Sequence, residues 1–170
     1  MAGFILFATD RKGGEMALSW RRENDEFEIS TDGARVDVPA VHAFLTASYW
    51  ARGVPLAVVE HSVHNSMCFG IYRGHEQLGF ARVITDRATF AYLADVYVLP
   101  EFRGRGLAKW LMECILSHPD LQGLRRWSLV TLDARPLYQK FGFRALATPE
   151  RWMEKHDPDV YAKKESAGVP

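Results

Sequence analysis

Several kinds of chemistry are poorly provided for in these 170 residues. Only two cysteines are present, Cys68 and Cys114. They form no CxxC pair and cannot build a disulfide framework, so a reducing, cytoplasmic setting is the simplest expectation. The six histidines contain neither HxH nor HExxH, and no metal is expected. No apolar run approaches the ~20 residues that span a bilayer. The opening GFILFA is too short, and too soon followed by charge, for a signal peptide. Lys plus Arg number 21 against 21 Asp plus Glu, so no global field draws nucleic acid or an anionic membrane. Neither is expected as a partner, and any cationic site must be local.

What is present has globular proportions, with 48% hydrophobic and 25% charged residues. One folded domain is expected over residues 26–156. Residues 157–170 read as a loose polar tail. Residues 1–25 read as an N-terminal extension: either an extra strand or a non-native addition, residues 1–15 above all because Met16 is itself a possible start.

Glu26 to Thr31 alternates and ends at Asp32-Gly33, a short strand and turn. Asp37-Val-Pro39 opens a helix, with Asp as N-cap and Pro in the first turn. Val41, Phe44 and Leu45 continue it to about Trp50. After the break Arg52-Gly53-Val-Pro55, a second helix runs through Val58, Val59, His61 and Ser62. Period-two runs then occupy 67–72, 77–85 and 90–98, joined by hairpin-length links, so three strands form an antiparallel meander. A helix is expected from Gly106 to Ser117, with Leu107, Leu111, Cys114 and Ile115 inward, stopped at His118-Pro119-Asp120. A strand over 125–132, a short helix over 135–141 closed by Gly142, and a last pair of strands at FRAL (143–146) and RWME (151–154) complete an α+β fold around one mixed sheet. The crossover through residues 90–132 should be parallel.

The run VLPEFRGRGLAKWLM (98–112) passes from a strand through two glycines and two arginines straight into a helix. Helix starts present unpaired N–H groups and a partial positive charge, and glycine lets a ligand approach the backbone. This is a phosphate-binding construction. The run has no GK(S/T), and Lys109 stands where the dinucleotide fingerprint needs its third glycine. What it contains is RxxGxA, Arg103 to Ala108. Downstream, Ala134 to Phe143 reads AxxLYxxxGF.

These two motifs, in this order, resemble those of the GNAT superfamily of N-acyltransferases. The resemblance covers about residues 26–155. It implies a mostly antiparallel central sheet flanked by helices, with a splay between the fourth and fifth strands, and acetyl-CoA as cofactor. It places Arg103, Gly104, Arg105, Gly106, Leu107 and Ala108 at the cofactor pyrophosphate, and Val96, Tyr97 and Val98 beside its acyl arm. The Val98 N–H would meet the thioester carbonyl. Tyr138 becomes the candidate general acid, also touching the cofactor, because a phenol with a pKa of about 10 is protonated at neutral pH. Thr131 stands where the family often has an Asn on the amide arm, a departure. Asp95 is a candidate base or amine contact, with a cap or salt-bridge role the alternative. A bulge near it would change which residues face the substrate.

Tyr49, Trp50, Phe80, Arg82 and Tyr92 are the expected acceptor wall, with Arg52 nearby. Two arginines among aromatics would suit an anionic acceptor, although Tyr49 and Trp50 could equally be core and the arginines solvated. The implied activity is direct acetyl transfer to a primary amine of a small molecule, by a monomer or homodimer. A protein or peptide acceptor and a non-catalytic CoA-binding module are the alternatives.

Overall fold

Neighbouring residues on the central strands go to different apolar clusters: Cys68 and Phe69, Phe80 and Ala81, Tyr97 and Val98 each split between two cores. One sheet therefore carries a core on each face. The computed structural model describes residues 4–10, 16–23 and 25–162; the remaining parts of the expected N-terminal extension and tail lie outside the described residues.

Seven strands lie in chain order across the sheet: β1 (Phe4–Asp10), β2 (Met16–Arg22), β3 (Phe27–Ser30), β4 (Met67–Arg73), β5 (Glu76–Thr85), β6 (Phe90–Val98) and β7 (Arg126–Ser128). All neighbours are antiparallel except β6 and β7, which are parallel. Helices α1 (Val38–Ala47) and α2 (Leu56–His64) connect β3 to β4, and α3 (Leu107–Ser117) carries the crossover from β6 to β7. A short α4 (Arg135–Gln139) follows β7.

Each helix starts where its sequence says. The Asp37 carboxylate accepts from the Ala40 N–H at 3.0 Å, capping α1. On α3, Trp110, Leu111, Met112, Cys114 and Ile115 are wholly buried against the sheet. Each large apolar side chain among them contributes about 1.5–3 kcal/mol relative to exposure. The other face is closed by Val41 and Leu45 of α1 and Val59 of α2, packed on Phe80 and Tyr97.

Before residue 26, β2 pairs with β3 and sends Leu18 and Trp20 into the larger core. Strand β1 is added outside it, with Phe4, Ile5, Leu6 and Phe7 all exposed.

The C-terminal expectations need correction. The strand expected over 125–132 is regular only at Arg126–Ser128, and no strand forms at 143–146 or 151–154. A strand needs a neighbour to pair with, and β7 offers three residues. Phe143 packs on Trp127 and Tyr138 instead, while Pro149 starts a 3-10 turn through Arg151. Helix α1 also stops at Ala47, short of Trp50. There the Ser48 hydroxyl donates to the Leu45 carbonyl and accepts from the Ala51 N–H, turning the chain.

One feature of the sheet creates the site. Strand β7 pairs only with Phe90–Tyr92 of β6, whereas β6 continues to Val98. Between the two, the fourth and fifth strands of the expected domain, the sheet splays open.

Candidate active site

The β6 wall of the splay is built around a bulge. Phe80 pairs with Tyr97 and Arg82 with Ala94, so Asp95 and Val96 together face the single residue Ala81. Asp95 takes φ 54°, the left-handed region. That conformation costs an ordinary residue roughly 1–2 kcal/mol, and Asp is among the few that visit it readily. The extra residue reverses the phase of the strand. Before it, Ala91 and Leu93 point to the α3 side; after it, Val98 points there and Tyr97 points to α1.

The backbone reverses likewise. Ahead of the bulge, the Thr89 carbonyl accepts from Arg126 at the start of β7, at 3.2 Å; beyond it, the Leu99 N–H donates to Leu78 on β5 at 2.8 Å. Alternation then turns the Val98 N–H away from β5, into the splay that β7 has vacated. The Val98 carbonyl accepts from Arg103 Nε at 3.0 Å. Arg103 thus ties the start of the glycine turn to the end of β6.

Both carboxylate oxygens of Asp95 are engaged. Arg82 Nε donates to Oδ2 in an ion pair whose side chains are 18% and 9% exposed. Trp50 Nε1 donates to Oδ1 at 3.2 Å. Arg82 Nη1 also donates to Ser66 Oγ at 3.2 Å. The charge of Arg82 is therefore matched within the protein, which removes it as a free cation for an anionic acceptor.

In the glycine turn, Gly104 and Gly106 have φ of 77° and 75°. A Cβ added at either would meet nothing within 4 Å, so the space before the helix is open. Gly106 is the N-cap of α3 and supplies no side-chain cap. The first N–H groups of α3 consequently face that space with the helix dipole behind them. Leu107 is buried and Ala108 packs on the core, so their contribution to a ligand is backbone. The Arg105 side chain turns toward β3. Its guanidinium lies over Phe102 and Phe27, at 5.5 and 5.9 Å from the ring centres, with Nη1 3.9 Å from Glu26 Oε1.

The opposite wall is α4 and the loop before it. Tyr138 is 8% exposed and sits edge-on to Phe143. Burial pushes its pKa up to about 12, with Tyr49 and Asp133 adding to the shift. The Thr131 hydroxyl oxygen accepts from the Ala134 N–H at 3.0 Å, at the start of α4.

Tyr49 and Trp50, in an edge-to-face pair with ring centres 4.9 Å apart, span the splay. Trp50 reaches Asp95 on one wall, and Tyr49 Oη accepts from the Leu132 N–H on the other at 3.2 Å. Tyr92 is half-buried, and its pKa is raised by burial and by the Asp95 charge. Arg52 is exposed. Phe80 has no exposed surface and lies under Tyr97, so it supports the wall from below. Three contributors lie outside the expected set: Ser66, the Leu132 N–H, and Phe44, whose ring stacks on Tyr97 at 3.8 Å. Phe44 was visible as an apolar residue of α1, but its partner depends on the phase of β6.

Among the described residues, no group of three or more His, Cys, Asp or Glu side chains could hold a metal. No helix of the described residues is long and apolar enough to cross a membrane.

Known proteins share the family and the fold. A family model for the acetyltransferase (GNAT) domain matches residues 64–145. A candidate acetyltransferase of Gibberella zeae is 34% identical in an alignment 145 positions long that covers 72% of this chain and 80% of that protein. The crystal structure of a candidate GNAT-family acetyltransferase from Xanthomonas campestris is 47% identical with a TM-score of 0.78, covering 80% of this chain and 96% of that one. An acetyltransferase structure from Clostridium acetobutylicum, determined with acetyl-CoA, shares the fold at 15% identity and a TM-score of 0.56, covering 76% of this chain and 94% of that one. With its splayed sheet, its open glycine turn and its Tyr138 helix, the chain belongs to the GNAT family of acetyltransferases.

Proposed function

We propose that the protein moves an acetyl group from acetyl-CoA directly to a primary amine of a small molecule. The observation that carries this reading is the Val98 N–H, turned by the bulge into the splay beside the open turn at Gly104 and Gly106. The residues present suit the donor: N–H groups with no side-chain cap for a pyrophosphate, left-handed glycines beside open space, and an unpaired strand edge for an extended amide arm. Within the fold family, a neighbour determined with acetyl-CoA supports the choice of ligand.

When bound, acetyl-CoA supplies the activated acyl group as a thioester. The backbone from Arg103 to Ala108 holds its phosphates, and Val96, Tyr97, Val98 and Thr131 line its arm. The Val98 N–H donates to the carbonyl oxygen and stabilises the negative charge that grows there as the amine attacks. Tyr138 keeps its proton at neutral pH, because its pKa lies near 12, and donates it toward the departing sulfur. Tyr49 and Trp50 line the side from which the amine arrives. Both oxygens of Asp95 are engaged, so the amine loses its proton to water and no side chain is assigned as base.

The test is a panel of primary amines and short peptides incubated with acetyl-CoA, following thiol release and the gain of one acetyl group by mass spectrometry. A small amine should be acetylated. Tyr138→Phe should lower kcat by about 10²-fold or more with acetyl-CoA affinity kept. Acetylation of peptides only would move the acceptor class. Binding of acetyl-CoA with no turnover on any amine would leave a CoA-binding module.

A further inference from the structure

We propose that Arg82 and Trp50 are positioning residues, which act through Asp95 to hold the bulge that aims the Val98 N–H, and that Asp95 is a strut of this lock rather than the base. The inference rests on the acetyl-transfer reading for its purpose, though not for its geometry.

Three segments converge on one residue. Arg82 comes from β5, Trp50 from the turn after α1, and Ser66, just before β4, holds the far side of the Arg82 guanidinium. They meet at Asp95, which stands at φ 54°. Arg87, in the turn between β5 and β6, is the other non-glycine residue with positive φ among those described. An extended backbone at Asp95 would restore plain alternation. The Val98 N–H would then point to β5, and the Tyr97 ring would leave its stack on Phe44 for the α3 side. The lock therefore holds a choice between two strand phases, and one of them has the donor in the splay.

A carboxylate acting as base needs a free oxygen facing the amine. Asp95 instead accepts from two cationic or indole donors, and its side chain is 9% exposed. Asn can enter the left-handed region and offers an acceptor oxygen to either donor; Gly can enter it without any lock; Val cannot enter it readily.

The variants Asp95→Asn, Asp95→Val, Arg82→Met, Trp50→Phe and the double variant Asp95→Gly/Arg82→Met separate the roles. The first readout is amide hydrogen exchange by NMR, which needs no ligand. In the wild type, Val98 should exchange quickly while Leu99 is protected. In Asp95→Val the Val98 amide should become protected. The second readout is calorimetric titration with acetyl-CoA. Asp95→Asn should bind within threefold of wild type, Arg82→Met and Asp95→Val at least tenfold more weakly, and Trp50→Phe between these. The double variant should recover most of the loss, because Gly adopts the bulge unaided. A merely structural role for Arg82 would not be rescued by that second change.

Unchanged Val98 exchange and unchanged acetyl-CoA binding in both Asp95→Val and Arg82→Met would overturn the lock. Asp95→Asn that binds acetyl-CoA normally but loses 100-fold in amine turnover would make Asp95 the base. Wild-type protein that does not bind acetyl-CoA would fail the functional reading, while the exchange pattern would still decide the lock.

Discussion

The two walls of the splay are made differently. On the β6 side, Tyr97 is wedged between Phe44 and Phe80, and the bulge is pinned by an ion pair and an indole hydrogen bond. On the β7 side the strand lasts three residues, and the loop beyond it leaves Val130 and Leu132 83% and 76% exposed. The Leu132 N–H donates to the Tyr49 hydroxyl and so joins this loop to the α1–α2 turn. The contrast assigns different work to each wall. Charge that develops in a transition state is stabilised best by dipoles that need not move, which suits the pinned wall. Admitting a long flexible ligand needs a boundary that yields, which suits the other.

Deleting the donor of the rigid wall should give the largest effect. Val98→Pro removes an N–H that makes no bond to β5, so the sheet should survive. Acetyl transfer should fall by about 10²- to 10³-fold in kcat, measured by thiol release. A loss below tenfold would take the Val98 N–H out of the reaction.

Cutting the tether of the yielding wall should cost less. Tyr49→Phe loses the Leu132 hydrogen bond, worth about 0.5–1.5 kcal/mol. KM should rise by roughly two- to tenfold with kcat nearly kept. An equal loss in kcat would mean that Tyr49 acts on the reacting atoms and that the loop is not simply tethered by it.

The smallest expected effect lies outside both walls and serves as a control. His118 is buried among Trp20 and Phe69, and burial holds its pKa below the ordinary histidine value, partly opposed by Asp120. As pH falls below about 6.5 the unfolded chain takes up the proton before the folded one does, so stability falls. Between pH 7.5 and 5.5, wild type should lose on the order of 2 °C more in Tm than His118→Asn. Acetyl-CoA affinity should follow the same pH course in both proteins. A difference in affinity would show that this core communicates with the site.

Much of the pinned wall could be read from the sequence, because its signals are local. The alternation of residues 90–98 matches β6 at both ends, and glycines at 104 and 106 occupy left-handed positions before α3. The bulge itself left no mark beyond an Asp in an apolar run. Its existence depends on what Arg82 and Trp50 do from elsewhere in the chain, a non-local fact. Phe80 lies beneath the wall and not on it, a difference the sequence hides because an aromatic in a strand looks the same whether it lines a pocket or supports one. The Arg105 side chain left the expected site because Phe27, Phe102 and Glu26 attract it toward β3. The yielding wall was the least legible. Short alternating runs at 143–146 and 151–154 promise strands, but pairing also needs a partner edge, and β7 ends too soon to provide one.

Whether the turn and the strand end hold acetyl-CoA can be read from thermal unfolding. Wild type and Gly106→Val would be heated with acetyl-CoA, CoA, ATP and NAD in parallel. A ligand at 100 times its Kd should stabilise the wild type by about 2.7 kcal/mol. Tm should rise with acetyl-CoA and CoA but not with NAD. The rise should be lost in a Gly106→Val variant that still unfolds cooperatively, since a β-branched residue disfavours the φ of 75° at that cap. No shift with acetyl-CoA in the wild type, or an undiminished shift in the variant, would contradict it.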